Sequence, residues 1–260
     1  MKAKLDFIIQ EPTLATPETA PDLQIDYDLI AAWYRDSFLH REYNDFLKGK
    51  SVILVGPANY LSGKGQGTFI DSFDVVVRLN RSYPVNVADA VDLGSRTDIW
   101  YHNMNENLAQ GGPIDITQME QSGVKFLSTH FPKHLSYFDR DIKTCEHKIK
   151  DSFVSFHSWS DLEQFVTLYP MLNTRPNIGV GAILDLLNYD VKNLHVVGIT
   201  FFEGGYLESY SNRDEDLVPL YNEDKVPNHI QRTQRQMIKL LAENEERLTF
   251  DKYIQNILWK

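Results

Sequence analysis

A histidine in the C-terminal part of the chain has the chemistry of a general base. His229 follows Pro227-Asn228 and directly precedes residues 230–244, where apolar residues recur at helical spacing. An imidazole titrates close to neutral pH, so it can take a proton from an attacking group. A helix-capping or surface histidine suits the same position, and the residue types alone leave both roles open.

A run of glycines between two apolar segments is a second candidate. Residues 51–55 and 74–79 are β-branched and apolar, as expected of strands that are covered on both faces. The glycines between them include Gly56, Gly63, Gly65 and Gly67. Such a loop can hold a phosphate through free backbone amides. The spacing satisfies neither GxGxxG nor GxxxxGK[ST], which disfavours a dinucleotide oxidoreductase and a P-loop ATPase and leaves another phosphate-bearing ligand as the expectation.

Three segments carry a family resemblance. The first contains Val55-Gly56, Leu61, Gly63, Gly65, Gly67, Ile70-Asp71-Ser72, Asp74-Val75-Val76-Val77-Arg78, Asn80 and Asp92-Leu93-Gly94-Ser95-Arg96-Thr97. It resembles, in register, the large sialyl motif of the sialyltransferases, glycosyltransferase family 29. Residues 175–202 resemble the small sialyl motif, with Pro176, Gly179, Asp190 and Val197-Gly198 in place. The segment that begins at His229 resembles the very short motif.

This resemblance implies a fold and an activity. The fold would be a single Rossmann-like α/β domain of the GT-A-variant sialyltransferase type, with a mainly parallel sheet flanked by helices. The activity would be inverting, metal-independent transfer of a 2-keto sugar acid, sialic acid or Kdo, from its CMP-activated donor to a glycan hydroxyl. By this resemblance His229 would be the general base. A catalytically inactive nucleotide-binding or scaffold protein of the same fold is the alternative.

The resemblance also implies a set of ligand-binding residues. The donor nucleotide would contact Gly56, Pro57, Ala58, Asn59, Asn80, Asn177, Ile178 and Gly179. Apart from the resemblance, Tyr206 is assigned to the donor nucleotide and His102, Asn103 and Tyr210 are further pocket candidates, while a packing role suits both tyrosines equally well. Residues 57–60 depart from the family's Asn-Ser-Gly-Asn, so phosphate contacts there would come from backbone amides and Asn59. The family's third short motif is not recognisable in residues 204–210. Arg78 and Arg96 are interpreted as structural ion-pair partners.

No metal or other cofactor is expected, because the CMP-sugar is the donor substrate and the family works without a metal. Asp214-Glu215-Asp216 has the Asp-x-Asp pattern of a metal site, yet it stands in a hydrophilic run that favours a solvated loop.

The composition of the chain restricts which kinds of partner and which cellular compartment are expected. The net charge of −10 disfavours nucleic acid, which needs clustered Lys and Arg. Cys145 is the single cysteine, which fits a reducing compartment. No apolar run in the N-terminal residues is long enough for a signal peptide or membrane span. We therefore expect a cytoplasmic enzyme without an integral membrane segment, either free in the cytoplasm or at the inner face of the membrane, that acts on a surface polysaccharide or lipopolysaccharide.

The remaining pattern predicts how these residues are positioned. Residues 1–24 contain three prolines among polar residues and are predicted to form an extended arm, and residues 25–260 one glycosyltransferase domain. Strands are predicted over 97–101, 124–128, 153–156 and 194–199, and helices over 27–47, 105–108, 115–121, 159–168, 177–188, 230–244 and 251–258. Residues 201–227 would form a lid or acceptor-facing loop. The alternation argues for a mainly parallel sheet whose ligands lie beyond the carboxyl ends of its strands.

Overall fold

One parallel sheet organises the protein. The computed structural model describes residues 41–108, 110–132, 136–159, 172, 175–210 and 230–260. The strands are β1 (Ser51–Val55), β2 (Val75–Leu79), β3 (Ile99–Tyr101), β4 (Phe126–Pro132), β5 (Ser155–Trp159), β6 (Asn193–Val197) and β7 (Leu248–Phe250). Their order is β5-β4-β3-β2-β1-β6-β7, and every pairing is parallel.

This order places a topological switch point beside β1. The chain steps outward from β1 through β2 to β5 and then returns to place β6 on the other side of β1. Loops after β1 and β6 therefore leave the sheet as neighbours, and such a crevice is where parallel α/β folds bind ligands. The predicted α/β fold class with a parallel sheet is confirmed.

Helices cover both faces of the sheet. They are α1 (Arg41–Leu47), α2 (Gly67–Asp71), α3 (Ala90–Leu93), α4 (Ile116–Ser122), α5 (Ser136–Ile149), α6 (Ile178–Leu187), α7 (Gln231–Asn244) and α8 (Lys252–Leu258). Val52 and Leu54 of β1 belong to the larger core cluster, together with residues of α6 and α7. Ile53 and Val55 point the other way into a smaller cluster with α2 and Leu207.

α6 is apolar except for Asp185, and it is buried from Gly179 to Leu187. A helix of this kind belongs in the interior, where its position is set by packing. α7 presents polar residues outward and buries Met237, Ile238 and Leu241. Within the described residues, no helix is both long and apolar enough to cross a bilayer.

Some predicted elements are wrong in detail. Residues 105–108 form no helix, because the loop bonds instead through Asn side chains, with Asn103 and Asn105 accepting amides two residues ahead. β5 begins at Ser155 and includes Trp159, which was predicted to start a helix. β7 was not predicted at all. The predicted arm, the Asp214-Glu215-Asp216 pattern and most of the predicted lid lie outside the described residues.

The glycine loop after β1 binds a carboxylate of the protein itself. The amides of Gly63 and Gly65 donate to the two carboxylate oxygens of Asp92, at 2.7 and 2.6 Å. These amide bonds hold the pKa of Asp92 below its usual range. The expectation that this loop leaves amides free for a phosphate is therefore wrong, since the large-motif Asp92 occupies that nest.

Asp71 joins α2 to the residues that follow α3 through a second set of hydrogen bonds. Its carboxylate accepts the amides of Ser95 and Arg96, and the guanidinium of Arg96 donates back to the carbonyls of Asp71 and Phe73. Gly67 lies so close to α3 that a Cβ there would meet the carbonyl oxygen of Ala90 at 2.1 Å. The two halves of the large motif thus bind each other and brace the loops that follow β1 and β2.

Candidate functional site

The loops after β1 and β6 are joined at the switch point. A Cβ on Gly56 would lie 2.2 Å from the carbonyl oxygen of Gly198, so only glycine permits this approach. The amide of Ala58 donates to that carbonyl at 3.2 Å, and the amide of Leu207 donates to Pro57 at 2.8 Å. The loops form a continuous wall at the carboxyl edge of the sheet.

Most of the predicted residues of the first donor loop lie in this wall. Ala58 forms an antiparallel bridge with Tyr206, and the amide of Asn59 donates to the carbonyl of Gly205 at 3.3 Å. The structure thus brings residues 57–59 and Tyr206 together. The backbone amides of this loop were predicted to contact the phosphate, which is wrong for Ala58 and Asn59 because both amides are bonded within the protein. A contact from the side chain of Asn59 stays a prediction.

The start of α6 has backbone amides that are not bonded within the helix, unlike the bonded amides of Ala58 and Asn59 in the loop after β1. The side chain of Asn177 caps the helix by accepting the amide of Val180 at 2.8 Å. The first helical amides, of Ile178 and Gly179, have no carbonyl to bond within the helix. Together with the helix dipole they form a site suited to an anion.

Ile199 connects this helix start to the first loop. A Cβ on Gly179 would meet Cδ1 of Ile199 at 3.1 Å, and a Cβ on Gly56 would meet Cγ1 of the same side chain at 2.8 Å. The predicted donor residues Gly56 and Gly179 therefore both contact one isoleucine. Glycine at both positions lets this side chain pack closely against the two backbones.

α7 docks against the same helix start. The amide of Asn177 donates to Oε1 of Gln234 at 2.9 Å, and its side-chain nitrogen lies 3.5 Å from Oε1 of Gln231. Gln231 and Gln234 are buried although both are polar. His229 lies outside the described residues, but the helix that follows it begins against the Asn177 cap.

Asn80 ties the end of β2 to the loop after β3. It has a φ of 43°, its side-chain oxygen accepts the amide of Asn103 at 2.9 Å, and its carbonyl accepts the indole nitrogen of Trp100 at 2.6 Å. These bonds fix the orientation of the side chain and leave its amide nitrogen as the group that can meet a ligand. Asn103 accepts the amide of Asn105 and thereby holds its own loop.

His102 is a structural residue in this arrangement. Its side chain is fully buried, Nδ1 accepts the amide of Met104, and Nε2 donates to the carbonyl of Gly112 at 3.0 Å. Burial lowers the pKa of His102 to about 4, so the ring is neutral. A Cβ on Gly111 would meet Nε2 at 2.3 Å. The expectation that His102 lines a pocket is therefore wrong, because the turn at residues 111–112 covers it.

Aromatic residues continue the wall after β6. The ring of Tyr206 lies 5.0 Å from that of Tyr210 and 6.2 Å from that of Phe202. Phe201 and Phe202 both have positive φ, which marks a sharply turned backbone. Tyr206 and Tyr210 are half-buried and lie at the carboxyl edge, and their contact with a ligand stays a prediction.

Arg78 and Arg96 were interpreted as ion-pair partners, and among the described residues Arg96 forms an ion pair whereas Arg78 does not. Arg96 lies 2.9 Å from Oδ2 of Asp98. Arg78 is fully buried, and its Nε and Nη2 donate to carbonyls, including that of Leu93 at 2.7 Å, and to the hydroxyl of Thr97. Burial lowers the pKa of Arg78 to about 10, against the opposing effect of the Asp71 and Asp98 carboxylates.

A cavity of roughly 210 Å³ opens beside Arg78 at the carboxyl ends of β1 and β2. Among the predicted site residues it contains Gly56 and Tyr210. Its other lining residues are Val55, Arg81, Ser82, Tyr83, Pro84, Val85, Asn86, Asp89, Leu93, Gly112, Pro113, Gln118, Leu207 and Ser209.

Sequence reasoning missed two polar groups beneath the site. Asp185 of α6 accepts hydrogen bonds from Tyr101 of β3 and from His157 of β5, the latter at 2.7 Å, and all three side chains are buried. His130 of β4 packs against the first turn of α6, where a Cβ on Gly181 would lie 2.6 Å from its own Cβ. A single aspartate inside the apolar α6 segment was the signal that could have found the first group.

Comparison with known proteins identifies the family. The model of the family described as Glycosyltransferase family 29 (sialyltransferase) matches residues 32–171, which is more than half of the chain. A search of curated protein sequences gives no match.

Solved structures share the fold at low sequence identity. The sialyltransferase CstII from Campylobacter jejuni has a TM-score of 0.54 and 16% identity over 81% of this chain and 84% of that chain. The monofunctional alpha-2,3-sialyltransferase Cst-I from the same organism has a TM-score of 0.53 and 16% identity over 80% and 79%. An alpha-2,3-sialyltransferase from Campylobacter jejuni in apo form has a TM-score of 0.53 and 14% identity over 86% and 82%. From the family match, this chain belongs to glycosyltransferase family 29, the sialyltransferases, and is a glycosyltransferase.

Proposed function

We propose that the protein transfers sialic acid from CMP-sialic acid to a hydroxyl group of a glycan acceptor, with inversion at the anomeric carbon and without a metal ion. Family membership supports the reaction class. The observation that carries the proposal is the start of α6, whose first amides belong to Ile178 and Gly179 and where Gly179 packs against the same isoleucine, Ile199, as the glycine after β1. Two structures of the similar CstII are complexes with cytidine-5'-monophosphate and with CMP-3FNeuAc.

The leaving phosphate sets the first requirement of the reaction. As the anomeric C–O bond breaks, negative charge grows on the phosphate of CMP while the sugar gains oxocarbenium character. Backbone amides and the positive end of a helix dipole stabilise such charge without having to reorient. Ile178 and Gly179 would supply these donors, and the side-chain nitrogen of Asn80 would bind the nucleotide.

The attacking hydroxyl sets the second requirement. His229 would accept its proton as the acceptor oxygen bonds to the anomeric carbon, and CMP would depart with the electron pair of the broken bond. A single displacement of this kind inverts the anomeric centre. The docking of α7 against the Asn177 cap supports this role, because α7 follows His229 directly in the chain.

The test is CMP release from CMP-sialic acid and from CMP-Kdo, with and without a galactoside acceptor. We expect acceptor-dependent release from CMP-sialic acid that persists in excess EDTA. Loss of release in EDTA that added Mg²⁺ restores would contradict metal independence. Faster release from CMP-Kdo would reassign the donor, since both donors present the same nucleotide and the same anomeric carboxylate.

His229→Ala tests the base. We expect kcat to fall by a factor on the order of 10² to 10⁴, while the affinity for CMP stays unchanged. His147→Ala is the matched control, because His147 is an exposed histidine on α5. Equal activity of the two variants would rule out the base. CMP binding without release, in the wild type as in the variant, would favour the inactive scaffold protein.

A further inference from the structure

The cavity beside Arg78 is a pocket distinct from the donor cradle. It shares Gly56 with the proposed donor residues, whereas Asn80, Asn177, Ile178 and Gly179 do not line it. Its volume of roughly 210 Å³ is below the roughly 300–1,000 Å³ of pockets for drug-sized ligands. A cavity of this size suits one small group of a ligand rather than a whole oligosaccharide.

Arg78 forms the base of this cavity with one donor unused. Its side chain has no exposed surface, and Nη1 has no hydrogen-bond partner among the described residues, although Nε and Nη2 are bonded. A buried guanidinium nitrogen without a partner is costly, because it has lost its water and gained nothing in return. An anionic oxygen is the partner that such a donor binds best.

Two further donors stand next to it in the chain. Arg81 lines the cavity half-buried, and no ion pair or hydrogen bond of its side chain occurs among the described residues. The hydroxyl of Ser82 is buried and likewise lacks a partner among them. The cavity is therefore lined, at the carboxyl end of β2, by hydrogen-bond donors that have no partner among the described residues.

One acidic group faces these donors. Asp89 lines the cavity, and one of its carboxylate oxygens lies 3.5 Å from the side-chain nitrogen of Asn86. Among the residues that line the cavity, two arginines outnumber one aspartate, while Asp71 and Asp98 act on Arg78 from outside the lining. A sugar that carries both an acid group and hydroxyls fits this set, since the acid can bind the arginines and a hydroxyl can donate to Asp89.

We propose that this cavity binds the acid group, a carboxylate or a phosphate, of an acidic glycan acceptor. The inference rests on the proposed function, because the acceptor must lie next to the donor for its hydroxyl to reach the anomeric carbon. Gly56, which borders both the donor cradle and the cavity, supplies that adjacency. The enzyme would therefore prefer acceptors that already carry negative charge.

The binding experiment needs no turnover. Calorimetry with glucuronate, galactose 6-phosphate and galactose would measure binding to the wild type, Arg81→Gln and Ser82→Ala. We expect the two acids to bind and galactose not to, and Arg81→Gln to weaken the acids about tenfold or more. The tighter of the two acids identifies the anion. Arg41→Gln is the control, because Arg41 is exposed on α1 and its neighbour Glu42 accepts a hydrogen bond from Ser155, the first residue of β5, at the opposite edge of the sheet.

The kinetic experiment uses the ratio of kcat/KM for a glucuronate-terminated acceptor to kcat/KM for a neutral galactoside. We expect a ratio above one that falls about tenfold in Arg81→Gln and is unchanged in Arg41→Gln. Equal use of the two acceptors by the wild type, or equal binding of the acids by wild type and Arg81→Gln, overturns the inference. Arg81-dependent acid binding without CMP release from CMP-sugars would instead overturn the proposed function alone.

Discussion

Asn177 serves the fold and the proposed donor site with different atoms. Its side-chain oxygen caps α6 through the amide of Val180, and its backbone amide is held by Gln234 of α7. The cap keeps the amides of Ile178 and Gly179 pointing out of the helix end. Replacing this residue can therefore separate the stability of α6 from its ability to bind an anion.

Two substitutions of Asn177 make that separation. Asn177→Ala removes the cap and is expected to lower the free energy of unfolding by about 1 kcal/mol. Asn177→Asp keeps a capping oxygen, so stability should be retained, but it places a carboxylate beside the phosphate and should weaken CMP binding by tenfold or more. Urea unfolding and CMP titration measure the two effects.

Asp115→Ala is the control for Asn177. Asp115 caps α4 in the same way, by accepting the amide of Gln118, and α4 contains none of the proposed donor residues. It should lower stability by a similar amount and leave CMP affinity unchanged. If Asn177→Asp bound CMP as tightly as the wild type, α6 would not be the phosphate site.

At the scale of elements, the site depends on how closely β1 and β6 end beside each other. Gly56 and Gly198 meet backbone to backbone, and Ile199 fills the space toward α6. The loops then bond across this contact through Ala58, Pro57 and Leu207. The position of the first donor loop is thus fixed by strand packing rather than by its own sequence.

Gly56→Ala tests this close approach. Its Cβ would lie 2.2 Å from a backbone oxygen, so relief requires β1 and β6 to move apart. We expect a loss of stability well above that of Gly49→Ala, whose φ of +70° and open surroundings predict only about 1–2 kcal/mol of backbone strain. Chemical denaturation compares the two variants. Similar losses would show that the strand ends are not locked together.

At the scale of the whole molecule, the buried neutral His102 couples stability to pH. Burial lowers its pKa from the ordinary 6.5 to about 4. Between these values the unfolded chain binds a proton that the folded chain does not. The contribution of His102 to stability is therefore complete above pH 6.5 and is lost as the pH falls toward 4.

This coupling predicts a loss of about 2 kcal/mol from His102 between pH 7.5 and pH 5. His102→Gln, which cannot titrate, should show a shallower decline of the unfolding free energy over that range. His147→Gln, at an exposed position, should follow the wild type. Urea unfolding at a series of pH values provides the measurement, and parallel curves for wild type and His102→Gln would refute the prediction.

The sequence allowed the sheet to be predicted well, because its signals are local. β1 and β2 are apolar runs with glycine or aspartate at their ends, and α6 has a capping asparagine and two glycines in its first turn. β7 was missed because three residues with one exposed side chain have too little pattern to detect. Residues 105–108 were misjudged because asparagine bonds to nearby backbone as readily as it enters a helix.

In the candidate site, too, the features with local sequence signals were predicted and the features that depend on distant residues were not. Gly179 and Asn177 were found because a helix start has a local signature. The hydrogen bonding of the glycine loop was not predicted. No residue near Gly63 and Gly65 in the chain shows that their amides donate to Asp92, 27 residues beyond Gly65. The sequence likewise did not predict that the turn at Gly111 and Gly112 buries His102.

The sequence by itself determined the family, the strand and helix types and which residues are able to do chemistry, because residue types, spacing and periodicity are properties of the chain. Only the tertiary structure decided which amides remain for a ligand. It assigned Gly63 and Gly65 to Asp92, left the first amides of α6 without a helix carbonyl and placed Arg78 and Arg81 around one cavity. The physical reason is that each donor binds whatever acceptor the fold brings within about 3 Å of it, and that distance depends on strand order rather than on separation along the chain.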